Sequence, residues 1–420
     1  MKVVIVGAGL GGLSAAISVL MAGHEVLLLE GAHEISEVGA GLQILPNASR
    51  ILRSYGLEKQ LSKHYSTPRI VKMNRWKGGN LTSFDFVKQG EKMGSPFWDF
   101  HRADLQSCML DRCKELGAEI LCNSRVIGIQ YDYVNMIATV TTSEGVKHSG
   151  DLIIGADGVN SKLRDLLVGH PDPPTPTGDL AYRVLLPGEK VLNDPELSKL
   201  ITNPQVNYWL GPECHCVNYP VKKGKFFNFV LLCPDTVPEG MSICPGTVEE
   251  MKNIFVGWDE RLLKLMDLFE GTMIDKWKLC YREGIDHWYH ESGMLALLGD
   301  SVHATLPYLA SGAGMAIEDG AVIGKLLERF PDKSQLKKAL SIYESKRKLR
   351  TERIVQRGNQ QQILYHLQDG PEQQERDRIL SMGEDAPAGE PLVWRDREMA
   401  PWLLSYDAFA DAAAEIQSKI

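Results

Sequence analysis

The sequence predicts an α/β fold: a domain with a parallel sheet carries an inserted, mainly antiparallel β-sheet and is followed by a helical C-terminal region. Three observations predict it. A charge-free stretch from Val3 to Gly23 passes from a β-branched run through a glycine cluster into an apolar helical pattern. Between Asp179 and about Cys280 the pattern turns mainly strand-like. From Ser334 to Leu367 it becomes strongly helical and highly charged.

Taken in order, Lys2–Val6 reads as a buried parallel strand, Leu10–Ala22 as a helix packed on it and His24–Glu30 as a second strand. Asn47–Tyr55 reads as a short helix with Asn47 as its N-cap after Pro46. In Arg102–Leu116 the apolar face runs through Leu105, Met109, Cys113 and Leu116, and Gly117 stops the helix. Ile120–Tyr131, Met136–Thr142 and Val146–Gly150 resemble a strand meander leading into the apolar Leu152–Ile154. The Pro-rich His170–Gly178 marks a boundary. Beyond it Tyr182–Leu186, Cys214–Val221 and Phe226–Leu232 read as strands, with a helical insert over Val248–Phe269. Met294–Leu298 returns as a buried strand, and a helix runs from Gly312 to about Phe330. The charge run in Ser334–Leu367 reads as a solvated helix face and is assigned no chemistry. Asp369–Glu390 reads as a polar loop, and the weakly amphipathic tail Pro401–Ile420 as docking on the body.

Composition narrows the function. The chain has 420 residues, 44% hydrophobic and 24% charged, which is ordinary for a globular protein. Its net charge of −8 gives no support for a nucleic-acid partner. Eight cysteines in a chain of this length make no disulfide framework, and Cys214 and Cys216 around His215 lack a second cluster to complete a metal site, so no metal is expected. A reducing, cytoplasmic setting is expected. Glycines interrupt the apolar N-terminal stretch, which therefore reads as strand, turn and helix rather than a signal peptide or membrane span.

The first motif is Gly7-Ala8-Gly9-Leu10-Gly11-Gly12, a G-x-G-x-x-G between a predicted strand and helix, with Glu30 following Gly12 by 18 residues. Gly7, Gly9 and Gly12 permit the tight turn and the close approach of a pyrophosphate to the helix N-terminus, as in dinucleotide-binding domains of Rossmann type. Glu30 would accept hydrogen bonds from an unphosphorylated adenosine ribose. This fingerprint alone does not separate NAD from FAD. Two later motifs do: Asp151-Leu-Ile-Ile-Gly155-Ala156-Asp157-Gly158 continuing to Ser161 and Arg164, and Gly299-Asp300 followed by His303, Pro307, Gly312, Glu318 and Asp319.

Together, and in this order, the three motifs resemble those of the class A, single-component FAD-dependent aromatic monooxygenases with the para-hydroxybenzoate hydroxylase fold. The likeness covers nearly the whole chain. It implies a Rossmann-type FAD-binding domain in two parts, 1–170 (with the β-meander) and 291–345, a β-sheet substrate domain over 171–290 and a C-terminal helical region over 346–420. It implies FAD as cofactor, NADPH or NADH as a transient reductant with Asp157-Gly158 near it, and dioxygen as co-substrate. Asp300 would bind the ribitol, while Gly312 and Ala313 would present helix N-terminal amides to the pyrimidine end of the flavin. Pro307 and Tyr308 would lie near the ring, Arg102 would contact FAD, and Gly39-Ala40-Gly41 would form a loop beside it. The expected protein is a monomer or homodimer, with no membrane or nucleic-acid partner.

On the substrate side the chain is similar to salicylate-hydroxylase-like enzymes at Ala181-Tyr182-Arg183 and at His215-Cys216-Val217-Asn218-Tyr219-Pro220. His215 and Tyr219 stand four apart on a predicted strand, so both side chains project to one face. The resemblance implies attack of a phenolate on a flavin C4a-hydroperoxide. His215 would then serve as base, Tyr219 as orienting group or relay, and Arg183 as partner to a carboxylate or phenolate. Some related hydroxylases carry a histidine after the Gly-Ala-Gly element. Here Gln43 stands in that loop, able to hydrogen-bond but not to act as a base. The expected reaction is hydroxylation of a phenolic or carboxylated, salicylate-like ring, with or without decarboxylation. Two alternatives stay open: oxygenation of a larger secondary metabolite such as a polyketide phenol or indole alkaloid, and an FAD dehydrogenase or oxidase without oxygen insertion.

Overall fold

The computed structural model describes residues 1–35 and 40–417. Gly39 lies outside them. The β-branched N-terminal run forms the strand Lys2–Val6 at the middle of a parallel sheet. Glu25–Leu29 pairs with it on one side and Leu152–Gly155 on the other; Glu119–Leu121 and Leu295–Leu297 extend the two edges. Such strands, covered on both faces, are apolar at nearly every position. The helices Leu10–Met21 and Gly312–Arg329 pack tightly against each other in this core. The meander Val126–Asp132, Ile137–Thr142 and Lys147–Gly150 contributes Val126, Ala138 and Val140 to it.

Among the described residues a second sheet has eight strands. Thr175–Pro187, Gln205–Gly211, Cys214–Val221, Phe226–Pro234, Ile243–Pro245 and Asp275–Tyr281 come from the inserted region. Ile70–Arg75 and Asn80–Asp85 come from far earlier in the chain, and Ile70–Arg75 joins Gln205–Gly211 in parallel. The large sheet thus takes in two strands from outside the inserted region, joined to it through Gln205–Gly211 alone. Alternation along these strands sends Tyr182, Val184, Cys214 and Cys216 into one core, beneath the helices Val248–Ile254 and Glu260–Asp267. The opposite face carries Ala181, Arg183, His215, Val217 and Tyr219 towards a cavity. Cys214 and Cys216 therefore point away from His215.

Three local readings need correction. Pro46, not Asn47, opens the helix Pro46–Ser54, with Leu45 at the N-cap; proline suits the first helical position because an N–H there would have no helical partner. Asn47 instead donates from its buried side chain to Glu318 at 2.6 Å. The helical insert is present as two helices, the second capped by Asp259. Within Asp369–Glu390, Pro371 starts the helix Pro371–Ser381, again from the first-turn position. In the long helix Leu336–Tyr365 the charge run is not wholly solvated: Arg347 and Arg350 are buried and bind Glu318 and Asp319. Met399–Leu404 and Ala408–Gln417 form the tail, and Ala408 and Ala412 are buried in the main core. Among the described residues no helix is long and apolar enough to cross a membrane.

Candidate active site

Two cavities meet along the top of the parallel sheet. One, of about 470 Å³, is lined by Gly7, Gly9, Glu30, Arg125, Asp157 and Lys162 among others. The other, of about 340 Å³, runs from Arg102 and Asp300 past Pro307, Gly312 and Ala313 to Arg183, His215 and Tyr219. Gly9, Ala156 and Gly158 line both, so they join as one trough.

The first half is built by backbone. Gly7 adopts φ +106°, and a β-carbon on Gly12 would overlap the Gly7 carbonyl, so the turn admits only glycine at both places. At Gly9 nothing lies within 4 Å of where a β-carbon would stand, leaving the N-terminal end of Leu10–Met21 open to a ligand. The Glu30 carboxylate is held at the cavity wall by the amides of Ala8 and Ala32, both at 2.8 Å. Asp157 also lines this cavity, but its carboxyl is committed to the helix Lys162–Val168. It accepts from Ser161 at 2.5 Å, Lys162 N at 2.8 Å and Leu163 N at 3.1 Å. Burial raises its pKa, and these donors work against that rise.

The second half is built by strand and helix ends. Gly299, at φ +63°, turns the chain out of Leu295–Leu297 and leaves Asp300 exposed at the trough. The Arg102 guanidinium lies beside it. Burial lowers the Arg102 pKa while Asp300 opposes the change, so the anion that a basic helix start needs is supplied by the protein. Gly41 donates its N–H to Asn228 Oδ1 at 2.8 Å, and a β-carbon there would strike the Asn228 side chain. This ties the start of the strand Gly41–Ile44 to the large sheet. Pro307 opens a single 3-10 turn, Pro307–Leu309, which delivers the chain to the N-terminus of Gly312–Arg329.

That helix is fixed from below. Glu318 binds Arg350 at 2.8 Å and Arg347 at 2.7 Å. Asp319 binds Arg347 at 2.7 Å and His303 at 2.6 Å, and accepts the Gly299 N–H at 2.9 Å. Burial pushes the Asp319 carboxyl up, but His303 and Arg347 outweigh it and hold it at about 2. One carboxylate thus sets both Gly299, before Asp300, and the helix beginning at Gly312.

At the far end, Arg183 stacks on Trp277 at 4.7 Å. Burial and the nearby Arg102 charge bring its pKa down to about 10, so it remains cationic at neutral pH. Burial holds the Tyr219 pKa well above its ordinary value, raised further by Asp99 and opposed by Arg183. Tyr219 is therefore a phenol, able to donate. His215, Val217 and Tyr219 share the expected face. Gln43 lines the cavity as well; it donates to Asp99 at 3.2 Å and accepts from the Tyr208 hydroxyl at 3.5 Å. Burial keeps Asp99 protonated more strongly than an ordinary carboxyl.

Sequence reasoning missed the groups behind His215. Its Nδ1 lies 2.8 Å from His366 Nε2, and His366 Nδ1 lies 3.6 Å from Asp179 Oδ2. The same oxygen accepts from Tyr308 and Gln362, both at 2.6 Å. A lone histidine ending a charged helix and an aspartate after a Pro-rich segment carry no local signal of this meeting.

Comparison with known proteins finds relatives along the whole chain. A family described as FAD binding domain matches residues 1–358. The chain is 39% identical over 423 residues to FAD-dependent monooxygenase OpS4 of Beauveria bassiana, covering 99% of this chain and 97% of that protein. It is 32% identical over 373 residues to a 3-hydroxybenzoate 6-hydroxylase of Polaromonas naphthalenivorans, covering 88% and 89%. A salicylate hydroxylase solved as a substrate complex superposes with a TM-score of 0.80 at 23% identity, over 98% of this chain and 97% of that one.

Proposed function

This chain belongs to the FAD-dependent aromatic monooxygenases of class A, and from that premise we propose that it hydroxylates a phenolic, carboxylated aromatic ring using NAD(P)H and dioxygen. The observation that carries this reading is the convergence of Arg183, His215 and Tyr219 on one cavity continuous with the trough.

The trough fits FAD. Glu30 would hold the adenosine ribose, and the glycine turn at Gly7, Gly9 and Gly12 would hold the pyrophosphate. Asp300 and Arg102 would hold the ribityl chain, Gly41 and Pro307 would flank the ring, and the amides at Gly312 and Ala313 would face the pyrimidine end. When bound and reduced, the flavin supplies the activated oxygen.

The chain's own residues prepare the ring. Arg183, a cation with no ion-pair partner among the described residues, pairs with a substrate carboxylate or a developing phenolate. His215 Nε2, the nitrogen not bound to His366, takes the phenolic proton, a contribution of typically ~10²–10⁴-fold. The Tyr219 hydroxyl, which has no hydrogen-bond partner among the described residues, donates to the same oxygen and orients it. Apolar walls from Ala181, Val217, Val230, Leu232 and Leu279 exclude water from that exchange.

The test is flavin reduction, oxygen uptake and product mass across salicylates, hydroxybenzoates and larger phenols. A carboxylated phenol that accelerates reduction and gains one oxygen supports the reading. A further mass loss equal to carbon dioxide establishes the decarboxylating branch. Stoichiometric peroxide with no oxygenated product from any of them rejects it.

A further inference from the structure

The base proposed above stands at the inner end of a chain of polar groups that leaves the cavity. His215 projects from Cys214–Val221 and His366 follows the end of Leu336–Tyr365, yet their rings meet at 2.8 Å. Asp179, on Thr175–Pro187, lies beyond His366 and is held by Tyr308 and Gln362. Building on the assignment of His215 as base, we propose that Asp179 and His366 are positioning residues that fix the tautomer of His215 and carry away the proton it removes.

The hydrogen-bond arithmetic supports this order. Tyr308 and Gln362 donate to Asp179 Oδ2, and that oxygen lies 3.6 Å from His366 Nδ1, at ion-pair rather than hydrogen-bond distance, so its negative charge favours the N–H of His366 at Nδ1. His366 Nε2 is then a lone pair and accepts the Nδ1–H of His215. That leaves His215 Nε2 unprotonated. It has no hydrogen-bond partner among the described residues, and the ring lines the substrate cavity.

Proton transfer then balances. His215 Nε2 gains the phenolic proton, its Nδ1 proton passes to His366 Nε2, and the Nδ1 proton of His366 passes to Asp179. The negative charge leaves Asp179 and appears on the substrate oxygen beside Arg183. Burial makes this route preferable to storing a cation: it lowers both imidazole pKa values, His215 well below its ordinary value and His366 to about 4, where Asp179 partly opposes the drop. Other titratable groups around the pair do not compete. The Tyr308, Tyr365 and Tyr208 hydroxyls and the Cys214 and Cys233 thiols are all pushed up by burial and stay protonated. Glu213 lies beside His366 in the chain path, with its amide on the His366 carbonyl at 3.0 Å.

Para-nitrophenol, whose phenolate absorbs in the visible, tests the relay when titrated with pH on the FAD-loaded protein. The wild type is expected to ionise the bound probe below its solution pKa. In His366→Gln and in Asp179→Asn the apparent pKa of the bound probe should rise by about one unit, a roughly tenfold loss of phenolate. The asparagine variant leaves both rings in place should the histidine variant lose its flavin. If both variants ionise the probe as the wild type does while His215→Gln does not, the relay is rejected and His215 remains the base. If the wild type fails to ionise the probe, or His215→Gln still ionises it, the assignment of His215 falls and the relay with it.

Discussion

Gly320 and Ala15 meet backbone to backbone: a β-carbon on Gly320 would stand 2.5 Å from the Ala15 amide nitrogen. This close approach sets the distance between the helix Leu10–Met21, which begins at the glycine turn, and the helix Gly312–Arg329, which begins at the second cavity. Gly320→Val should force them apart, at a cost of about 1–3 kcal/mol. Thermal unfolding of the FAD-loaded protein measures it. Gly314→Ala is the control, since its new methyl would meet Asn47 Nδ2 at an ordinary 3.5 Å. An equal loss in both variants would reject the spacing argument.

Acid should loosen the floor of the site through Asp319. Its carboxyl sits at about 2 in the folded protein against an ordinary 3.8, so the unfolded chain takes up the proton first. The stabilisation is complete above about pH 4 and lost as pH falls through about 2, on the order of 2 kcal/mol in all. Urea unfolding across that window should show the decline, and Asp319→Asn should flatten it. A variant as acid-sensitive as the wild type would assign the decline to other carboxylates.

Glu30→Ala should weaken FAD retention. Losing charge-assisted bonds to two ribose hydroxyls costs about 1.5–3 kcal/mol, or roughly tenfold to a hundredfold in Kd. Flavin fluorescence released on dilution reads this directly. Unchanged retention would remove Glu30 from the ribose.

Much of the trough's lining was legible because its parts are local. Gly7 to Gly12, Asp300 and Gly312 each sit where a strand ends and a helix starts, and such junctions are written in a few adjacent residues. His366 was not legible, because its partner His215 is 151 positions away and no periodicity links them. Arg347 and Arg350 misled for another reason: a charged helix face looks the same whether water or Glu318 and Asp319 answer it. Pro371 misled because the residue that breaks a helix from within also starts one.

Arg183→Gln should raise KM for carboxylated phenols by roughly tenfold to a hundredfold, the value of a charge-assisted bond. Phenols without a carboxylate should lose much less. Steady-state kinetics on matched pairs decides it, and equal losses on both would place Arg183 on the phenolate instead.

Tyr219→Phe should slow product formation more than it slows flavin reduction by NAD(P)H in the absence of substrate. Stopped-flow measurement of the two half-reactions separates them. Equal product rates in variant and wild type would end the assignment of Tyr219.

The order of strands in the parallel sheet has a consequence during synthesis. Lys2–Val6 and Glu25–Leu29 are made first, but Leu295–Leu297 and the helix Gly312–Arg329 that complete the same cleft follow nearly the whole substrate sheet. At ribosomal speeds of about 5–20 residues per second, the early half waits on the order of tens of seconds for its other side. Its apolar face stays uncovered through that interval, and a topology so rich in distant pairings folds slowly even then. A cofactor arriving early would meet only the Gly7–Gly12 turn and Glu30, without the walls of the trough at Asp300 and Gly312.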